Sequence, residues 1–303
     1  MTRRPSRLRR SQLAVPGSSE KMLTKGAASN ADHVFCDLED AVAPSAKVAA
    51  RDCIAEALNT LDWGKKTRCV RVNDVGTQWC YEDIITILEK AGGNVDTIML
   101  PKPFNAADVL FADKLIGQLE KKLKLKKRIG LEVLIEEVEA LQNVEEIAMS
   151  CDRLEALIFG MGDFSASMGI DVRSIGGDSA YPGDIFHYPR FRITMAARAA
   201  GIDAIDGPFA NFKDSEAYTE ECRRALALGM VGKWAIHPAQ IDPAIQTFTP
   251  DEKDVARARE MAAAYAEAEA KGIGSVNVNG MMVDVASIRL LKNTLDRADL
   301  IGM

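Results

Sequence analysis

Short hydrophobic runs recur about every 30 to 40 residues along most of this chain. Eight of them are rich in Leu, Ile and Val and predict buried strands, over residues 12–16, 34–40, 69–73, 97–102, 129–136, 157–163, 204–209 and 233–237. The stretches between them show helical spacing, as in the stripe Val138, Leu141, Val144 and Ile147. Strands that alternate with helices in this way predict an α/β fold, a (β/α)8 TIM barrel.

A doubly wound open sheet is the alternative arrangement for alternating strands and helices. That fold usually carries a G-x-G-x-x-G turn after its first strand, where the backbone approaches a pyrophosphate. No such turn follows residues 12–16. The barrel is therefore the favoured fold.

The last segment of the chain exceeds what an eighth barrel helix requires. Thr249-Pro250-Asp251-Glu252 predicts an N-cap, a proline at the first helical position and a capping-box glutamate at the start of a long helix. A Gly/Asn-rich link then precedes a second helical piece over residues 283–301. We expect two domains, a catalytic barrel over residues 1–248 and a C-terminal helical extension and lid over 249–303.

Polar side chains stand at the ends of nearly all the predicted strands. In chain order these ends carry Asp37-Leu38-Glu39-Asp40, Arg71 with Asn73, Lys102, Glu136, Asp163, Asp206 and His237. The interior of a TIM barrel is apolar, and catalytic groups lie at the carboxyl ends of its strands. The pattern therefore predicts one active-site rim.

Glu136 and Asp163 are the strongest candidates on this rim. Each ends an apolar run, where an unpaired carboxylate is costly. Two carboxylates from neighbouring strands provide the oxygen ligands that Mg²⁺ prefers. The competing interpretation is that each acid caps the helix that follows it. Because two consecutive strands end in this way, we favour the metal site.

Arg71 lies inside an apolar strand, so its guanidinium needs an anionic partner. That partner is either a substrate carboxylate or one of the acids Asp37, Glu39 and Asp40, and these acids could also contact metal-bound water. Lys102 could pair with the same acids or form a Schiff base with a carbonyl substrate. The ion pair is the favoured interpretation for Lys102.

Composition narrows the classes of function. The 303 residues are 47% hydrophobic and 27% charged, with a net charge of −6, which argues against nucleic acid as the main partner. No apolar run approaches the roughly 20 residues of a membrane span. Six scattered cysteines without a C-x-x-C pair indicate a reducing compartment, so we expect a cytoplasmic protein. The five arginines among the first ten residues leave organelle import as an alternative.

Several of these stretches together resemble a known family. The chain is similar to the citrate lyase β-subunit and malyl-CoA lyase branch of the HpcH/HpaI aldolases. The matching segments are residues 10–18, 37–40, 70–73, 132–136, 160–167, 206–209 and 232–238, with 283–288 near the end. They follow one another in order over nearly the whole chain.

This resemblance implies a function and a set of site residues. It implies an Mg²⁺-dependent carbon–carbon lyase, with Mn²⁺ as an alternative ion, that reversibly cleaves L-malyl-CoA to acetyl-CoA and glyoxylate and extends to β-methylmalyl-CoA. It further implies a homotrimer or homohexamer in which subunits exchange their lids. The implied roles are metal binding by Glu136 and Asp163, binding of the 2-oxo acid by Arg71, acid/base catalysis by Asp284, and CoA contact by Arg10, Lys25, Ile236 and His237. We also expect Asp37 and Glu39 to belong to the catalytic residues, as the acids nearest Arg71.

Three classes of alternative function stay open at this point. A malyl-CoA thioesterase, or a citramalyl-CoA or citryl lyase, would use the same scaffold. A CoA-binding protein without catalytic activity is a different class, and the joint presence of Glu136, Asp163, Arg71 and Asp284 argues against it. An aldolase that forms a Schiff base at Lys102 is the third. A lone histidine such as His237 is more often structural than catalytic.

Overall fold

A computed structural model describes residues 4–170 and 183–303 of the chain. Eight parallel strands form a closed barrel in which each strand pairs with the next and the last pairs with the first. The strands are β1 (Ser11–Pro16), β2 (His33–Asp37), β3 (Thr67–Arg71), β4 (Thr97–Leu100), β5 (Gly130–Ile135), β6 (Leu154–Phe159), β7 (Asp203–Asp206) and β8 (Gly232–Ala235). The TIM-barrel prediction is confirmed.

Helices follow the strands and cover the barrel. They are α1 (Glu20–Ala27), α2 (Lys47–Thr60), α3 (Cys80–Ala91), α4 (Ala106–Leu123), α5 (Val138–Gln142), α6 (Val144–Ala148), α7 (Met161–Ser167), α8 (His187–Ala200), α9 (Ser215–Ala227) and α10 (Ile241–Phe248). The stripe at 138–147 therefore belongs to two short helices rather than one.

Seven of the eight strands end before their predicted ends, by one to four residues, and β1 ends at Pro16 as predicted. Glu136 lies one residue beyond β5, and Asp163 lies in the first turn of α7, after Gly160. Apolar runs overestimate strand length here because the first turn beyond each strand also contributes apolar residues to the core. Both acids thus lie beyond the carboxyl ends of their strands, where side chains can converge.

The inside of the barrel is apolar at its centre and polar at both ends. Its central core contains Phe35, Cys69, Met99, Leu134, Ala156, Ile158, Ile205 and Trp234. At the amino-terminal end, the buried Arg9 binds carboxylates that come from three strands, namely Glu132, Glu155 and Asp203. Buried ion pairs therefore close the barrel at the end opposite the predicted rim.

The chain divides into two compact units, with Arg9–Gln246 in the first and Thr247–Met303 in the second. The second unit contains α11 (Glu252–Glu269), the hairpin of β9 (Ser275–Val278) and β10 (Met281–Asp284), and α12 (Val285–Ile301). The hairpin packs on α11 through Met261, Tyr265, Val278 and Val283. This unit has its own small core.

Two details of the C-terminal prediction are wrong. The Gly/Asn-rich link is a β-hairpin, in which Asn279 and Gly280 both have positive φ, as a tight two-residue turn requires. In addition, the N-cap of α11 is Asp251, whose side chain accepts from the backbone N–H of Lys253, and not Thr249. The Asn-Gly pair was the signal for the hairpin.

Two remaining properties concern membranes and cysteines. Across the described residues, no helix combines the length and the apolar character that a membrane crossing needs. All six cysteines lie in the described residues and are free thiols.

Candidate active site

The carboxyl ends of β2 and β3 bring Asp37 and Arg71 together. The two residues are register partners in the parallel ladder. Arg71 Nε donates to Asp37 Oδ1 and Arg71 Nη2 to Asp37 Oδ2, each at 2.7 Å. Asp37 also accepts from the backbone N–H groups of Glu39 and Ala41. This bidentate pair fixes the plane of the guanidinium.

Glu39 joins Arg71 to Lys102. Arg71 Nη1 lies 3.0 Å from Glu39 Oε2, and Lys102 Nζ lies 2.6 Å from Glu39 Oε1. Burial raises the pKa of Glu39, against the opposing charge of Arg71. Asp40 is more exposed. Its partial burial is outweighed by its bond with Glu39 and by the charges of Arg71 and Lys102, so its pKa is lowered.

Lys102 stands at the centre of the acids. Its Nζ also approaches Asp40 Oδ1 at 3.4 Å and Asp163 Oδ2 at 3.6 Å. The backbone of Lys102 adopts a left-handed conformation with φ of 50°, which is uncommon for a residue other than glycine. That conformation aims its backbone N–H at Glu136 Oε1, at 3.1 Å. The contacts of Lys102 agree with the ion-pair interpretation.

Glu136 is the most strongly perturbed acid of this group. Its side chain is buried, and this burial raises its pKa to about 8, with Arg71 opposing the shift and Glu39 and Asp163 adding to it. Gly160 makes room for it, because a Cβ at position 160 would lie 2.5 Å from Glu136 Oε2. Glu136 therefore lies against the backbone that leads to Asp163.

These acids suit a hard divalent cation. Glu136 and Asp163 follow the adjacent strands β5 and β6, and the charge of Asp163 acts on Glu136. Glu39 and Asp40 are two more acids nearby, which share Lys102 with Asp163. A buried carboxyl group that sits among other carboxylates is held partly protonated, and a cation would relieve that repulsion. The donor set and the raised pKa of Glu136 thus fit Mg²⁺. Binding of the ion by Glu136 and Asp163 stays a prediction.

Not all residues of the predicted rim join this group. Asp206 ends β7, but its buried carboxylate accepts from Arg190 Nε at 2.8 Å and from Lys233 Nζ at 2.6 Å. Alternate residues of a strand face opposite sides of the sheet. Because Ile205 faces the barrel core, Asp206 faces the helices. It is a structural ion pair rather than part of the rim.

The structure does not bring Arg10 and Lys25 to the acids. Arg10 precedes β1 and therefore lies at the amino-terminal end of the barrel, where its guanidinium binds both oxygens of Asp32 at 2.7 and 2.8 Å. Lys25 is exposed in the last turn of α1. CoA contact by these two residues stays a prediction from the resemblance.

Ile236 and His237 do lie at the carboxyl end, directly after β8. Ile236 is 40% exposed. His237 stacks on Phe212, with ring centroids 4.6 Å apart. Its Nδ1 accepts from the backbone N–H of Ala239 and so caps the short helical turn Pro238–Gln240. His237 therefore has a structural task, and Ile236 and Phe212 present apolar surface.

Asp284 belongs to the second compact unit. It ends β10 and is the N-cap of α12, with its Oδ1 accepting from the backbone N–H of Ser287 at 2.8 Å and from the Ser287 hydroxyl at 2.9 Å. These bonds from Ser287 lower the pKa of Asp284. Capping is thus one task of this carboxylate, and its predicted catalytic task is a separate matter.

The family model described as HpcH/HpaI aldolase/citrate lyase matches residues 10–238 of the chain. The chain belongs to this family. It is 43% identical to the L-malyl-CoA/β-methylmalyl-CoA lyase of Cereibacter sphaeroides, over 98% of this chain and 97% of that protein. It is 33% identical to a (3S)-malyl-CoA thioesterase of the same species, over 97% of this chain and 95% of that protein.

Solved structures agree with this membership. A citrate lyase from Burkholderia xenovorans shares the fold, with a TM-score of 0.84 at 22% identity over 96% of this chain and 92% of that one. The CitE protein of Mycobacterium tuberculosis, crystallised with magnesium, acetoacetate and coenzyme A, is 28% identical with a TM-score of 0.71, over 95% of this chain and 97% of that one. With the family membership and the lyase relatives, these structures identify the chain as a carbon–carbon lyase of the HpcH/HpaI aldolase/citrate lyase family.

The sequence analysis did not identify the two aromatic rings, Phe35 and Trp234, that lie against the guanidinium of Arg71. The guanidinium carbon of Arg71 lies 5.7 Å from the ring centroid of Phe35 and 5.5 Å from that of Trp234. Phe35 precedes Asp37 by two positions on β2, so both point into the barrel. That alternation was the available signal.

A second polar cluster lies inside the barrel at its amino-terminal end. His33, Cys69 and Glu132 offer an imidazole, a thiol and a carboxylate within 4.8 Å of one another. Both oxygens of Glu132 already accept hydrogen bonds, from Arg9 and from Gln12. Burial also raises the pKa of the Cys69 thiol well above its ordinary value. These facts favour a structural cluster over a metal site.

Proposed function

We propose that this chain is an Mg²⁺-dependent carbon–carbon lyase that reversibly cleaves L-malyl-CoA to acetyl-CoA and glyoxylate, and that β-methylmalyl-CoA is a second substrate. The observation that carries the proposal is the position of Arg71, a guanidinium held rigidly by Asp37 beside the acids Glu136 and Asp163. The similarity to L-malyl-CoA/β-methylmalyl-CoA lyases over nearly the whole chain supports it.

The site residues divide into those that bind the ion and those that bind the substrate. Glu136 and Asp163 would hold Mg²⁺, which supplies Lewis-acid polarisation of the 2-oxo acid. Arg71 would bind the carboxylate oxygens of glyoxylate. Asp37 accepts from Arg71 Nε and Nη2, and Glu39 lies against Nη1. These two acids therefore hold the guanidinium on the protein side. Lys102 keeps Glu39 and Asp163 close to each other through its ammonium.

The reaction requires one base and one donor. In cleavage, a base removes the proton of the 3-hydroxyl group, the C2–C3 bond breaks, and its electron pair passes to the thioester as an enolate. Protonation of that enolate at C2 gives acetyl-CoA. In the reverse direction, the group that delivers this proton removes it again from C2 of acetyl-CoA. Asp284 is the proposed acid/base, which rests on the family resemblance.

We further propose that Asp284 acts in the site of a neighbouring subunit, in a homotrimer or homohexamer located in the cytoplasm. Mixing of two inactive variants tests the exchange of lids. If Arg71→Lys and Asp284→Asn homo-oligomers are dissociated and reassembled together, some sites receive both native residues and activity returns. If each site uses its own Asp284, mixing restores nothing.

The reaction itself is tested by product analysis. Purified protein is incubated with L-malyl-CoA and Mg²⁺, and glyoxylate is trapped as its phenylhydrazone while CoA species are separated by chromatography. The proposal expects equal amounts of glyoxylate and acetyl-CoA, and no turnover after EDTA treatment. Free malate and CoA without glyoxylate would overturn it.

A thioesterase is the second candidate, because a (3S)-malyl-CoA thioesterase is also 33% identical to this chain. In that reaction water attacks the thioester carbonyl, and the products are malate and CoA. The same chromatogram distinguishes the two reactions. Citramalyl-CoA in place of malyl-CoA, with pyruvate as the expected product, tests the remaining lyase alternative.

A further inference from the structure

Arg71 is held from below as well as from its edges. Asp37 and Glu39 contact the edge of the guanidinium and fix it within its plane. The rings of Phe35 and Trp234 lie beneath it and contact each other with centroids 4.4 Å apart. A cation above an aromatic face is attracted by the ring. These rings therefore limit movement of the guanidinium perpendicular to its own plane.

Trp234 is held in turn by a buried glutamine. Its indole Nε1 donates to Gln12 Oε1 at 2.9 Å, and Gln12 Nε2 donates to Glu132 Oε2 at 3.1 Å. Gln12 and Glu132 are fully buried. Arg9 Nε donates to the other oxygen of Glu132 at 3.2 Å. A chain of contacts therefore runs through the barrel from the arginine at its floor to the arginine at its rim.

The direction of these hydrogen bonds is forced by chemistry. An indole N–H only donates, and an ionised carboxylate only accepts. A side-chain amide can join the two, provided that its oxygen faces the indole and its nitrogen faces the carboxylate. Neither an ionised glutamate nor an apolar residue at position 12 can do both. Gln12 therefore fixes the orientation of the Trp234 ring.

We infer that Trp234 and Gln12 are positioning residues for the substrate-binding Arg71, with Trp234 acting by direct contact and Gln12 through Trp234. This inference rests on the proposed function of Arg71. We call the hydrogen-bonded series Arg9, Glu132, Gln12 and Trp234 the buried polar column. The inference gives this column a role in glyoxylate binding as well as in stability. Loss of the column should weaken glyoxylate binding and leave CoA binding unchanged.

The test compares two variants with a matched control. Trp234→Phe keeps a ring and removes the N–H, whereas Gln12→Met keeps the side-chain length and removes both hydrogen bonds. Trp63 is the control, because it is also buried and donates its Nε1–H to a backbone carbonyl, that of Ala57. Titration calorimetry of the Mg²⁺-loaded protein gives separate dissociation constants for glyoxylate and CoA.

We expect both variants to weaken glyoxylate binding by about tenfold, to leave CoA binding within about twofold, and to differ from Trp63→Phe, which changes neither. In a double-mutant cycle, Gln12→Met should add little to Arg71→Lys. Gln12→Met preserves the ring and carries the test if Trp234→Phe does not fold.

Three results would overturn the inference. They are unchanged glyoxylate affinity in Gln12→Met, an equal loss of glyoxylate and CoA affinity, and full additivity with Arg71→Lys. The proposed function fails separately, if the wild-type protein itself binds no glyoxylate in the presence of Mg²⁺.

Discussion

Asp37 and Arg71 occupy the last positions of neighbouring strands and meet through two parallel hydrogen bonds of 2.7 Å. The ladder places the two residues opposite each other, so the geometry of the fork follows from the backbone register. Such a pair keeps the guanidinium charged. Burial by itself lowers the pKa of Arg71, but the charges of Asp37 and Glu39 and the hydrogen bonds with Asp37 outweigh burial and give a net rise. Arg71 is thus a permanent cation with a fixed orientation.

Replacement of Arg71 by lysine should reduce kcat/KM for malyl-CoA by roughly 100-fold or more, because an ammonium cannot make the bidentate contact with Asp37 and bind the substrate at the same time. Asp37→Asn should have a smaller effect, since the amide retains one acceptor. Steady-state kinetics measures both. If Arg71→Lys keeps a kcat/KM close to that of the wild-type protein, the guanidinium does not have the proposed role in substrate binding.

The raised pKa of Glu136 predicts a pH dependence of stability in the metal-free protein. Its ordinary value of 4.5 rises to about 8 in the folded state, so the folded protein binds this proton more tightly than the unfolded chain does. The free energy of unfolding contributed by Glu136 should therefore be fully present below pH 4.5 and be lost as the pH rises to about 8. Urea unfolding in EDTA across this range measures it.

The matched control for this titration is the next residue. Glu136→Gln should flatten the pH dependence, whereas Glu137→Gln should retain it, because Glu137 is half-buried and its side chain makes no capping hydrogen bond. Saturating Mg²⁺ should also reduce the slope, since metal binding favours the ionised carboxylate. If the wild-type protein, Glu136→Gln and Glu137→Gln show the same dependence of unfolding free energy on pH, Glu136 is not the group that titrates.

Gly160→Ala should weaken Mg²⁺ binding without a change in any acid. The new Cβ would lie 2.5 Å from both the Cβ and Oε2 of Glu136, so the carboxylate must move. Gly162→Ala is the control, because a Cβ at that position meets no atom within 4 Å. Calorimetric titration with Mg²⁺ compares the two variants. If the two variants bind Mg²⁺ with equal affinity, ion binding does not depend on the observed position of the Glu136 carboxylate.

Asp284→Asn separates capping from catalysis. Asparagine is as good an N-cap as aspartate, so α12 should remain intact and thermal stability should change little. It cannot accept or deliver a proton as a carboxylate does, so kcat should fall by about 100-fold or more while KM changes little. Full activity in Asp284→Asn, with loss only in Asp284→Ala, would show that the cap alone matters.

Part of this protein follows from its sequence. Periodic apolar runs predicted the barrel, because eight buried parallel strands each require a continuous apolar segment. The polar residues at or near the ends of those runs indicated Glu136, Asp163 and Arg71, since the carboxyl ends of barrel strands share one rim. The same reasoning misplaced Asp206, because the position of a residue in the run does not say which side of the sheet it faces.

The tertiary structure decided which of these groups meet. Only the ladder register places Asp37 opposite Arg71, and only the left-handed backbone at Lys102 aims its N–H at Glu136. The raised pKa of Glu136 likewise depends on burial against Gly160, which no local pattern encodes. Sequence thus determined the elements and the residue types of the site, whereas their pairing arises from long-range contacts that the closed barrel creates.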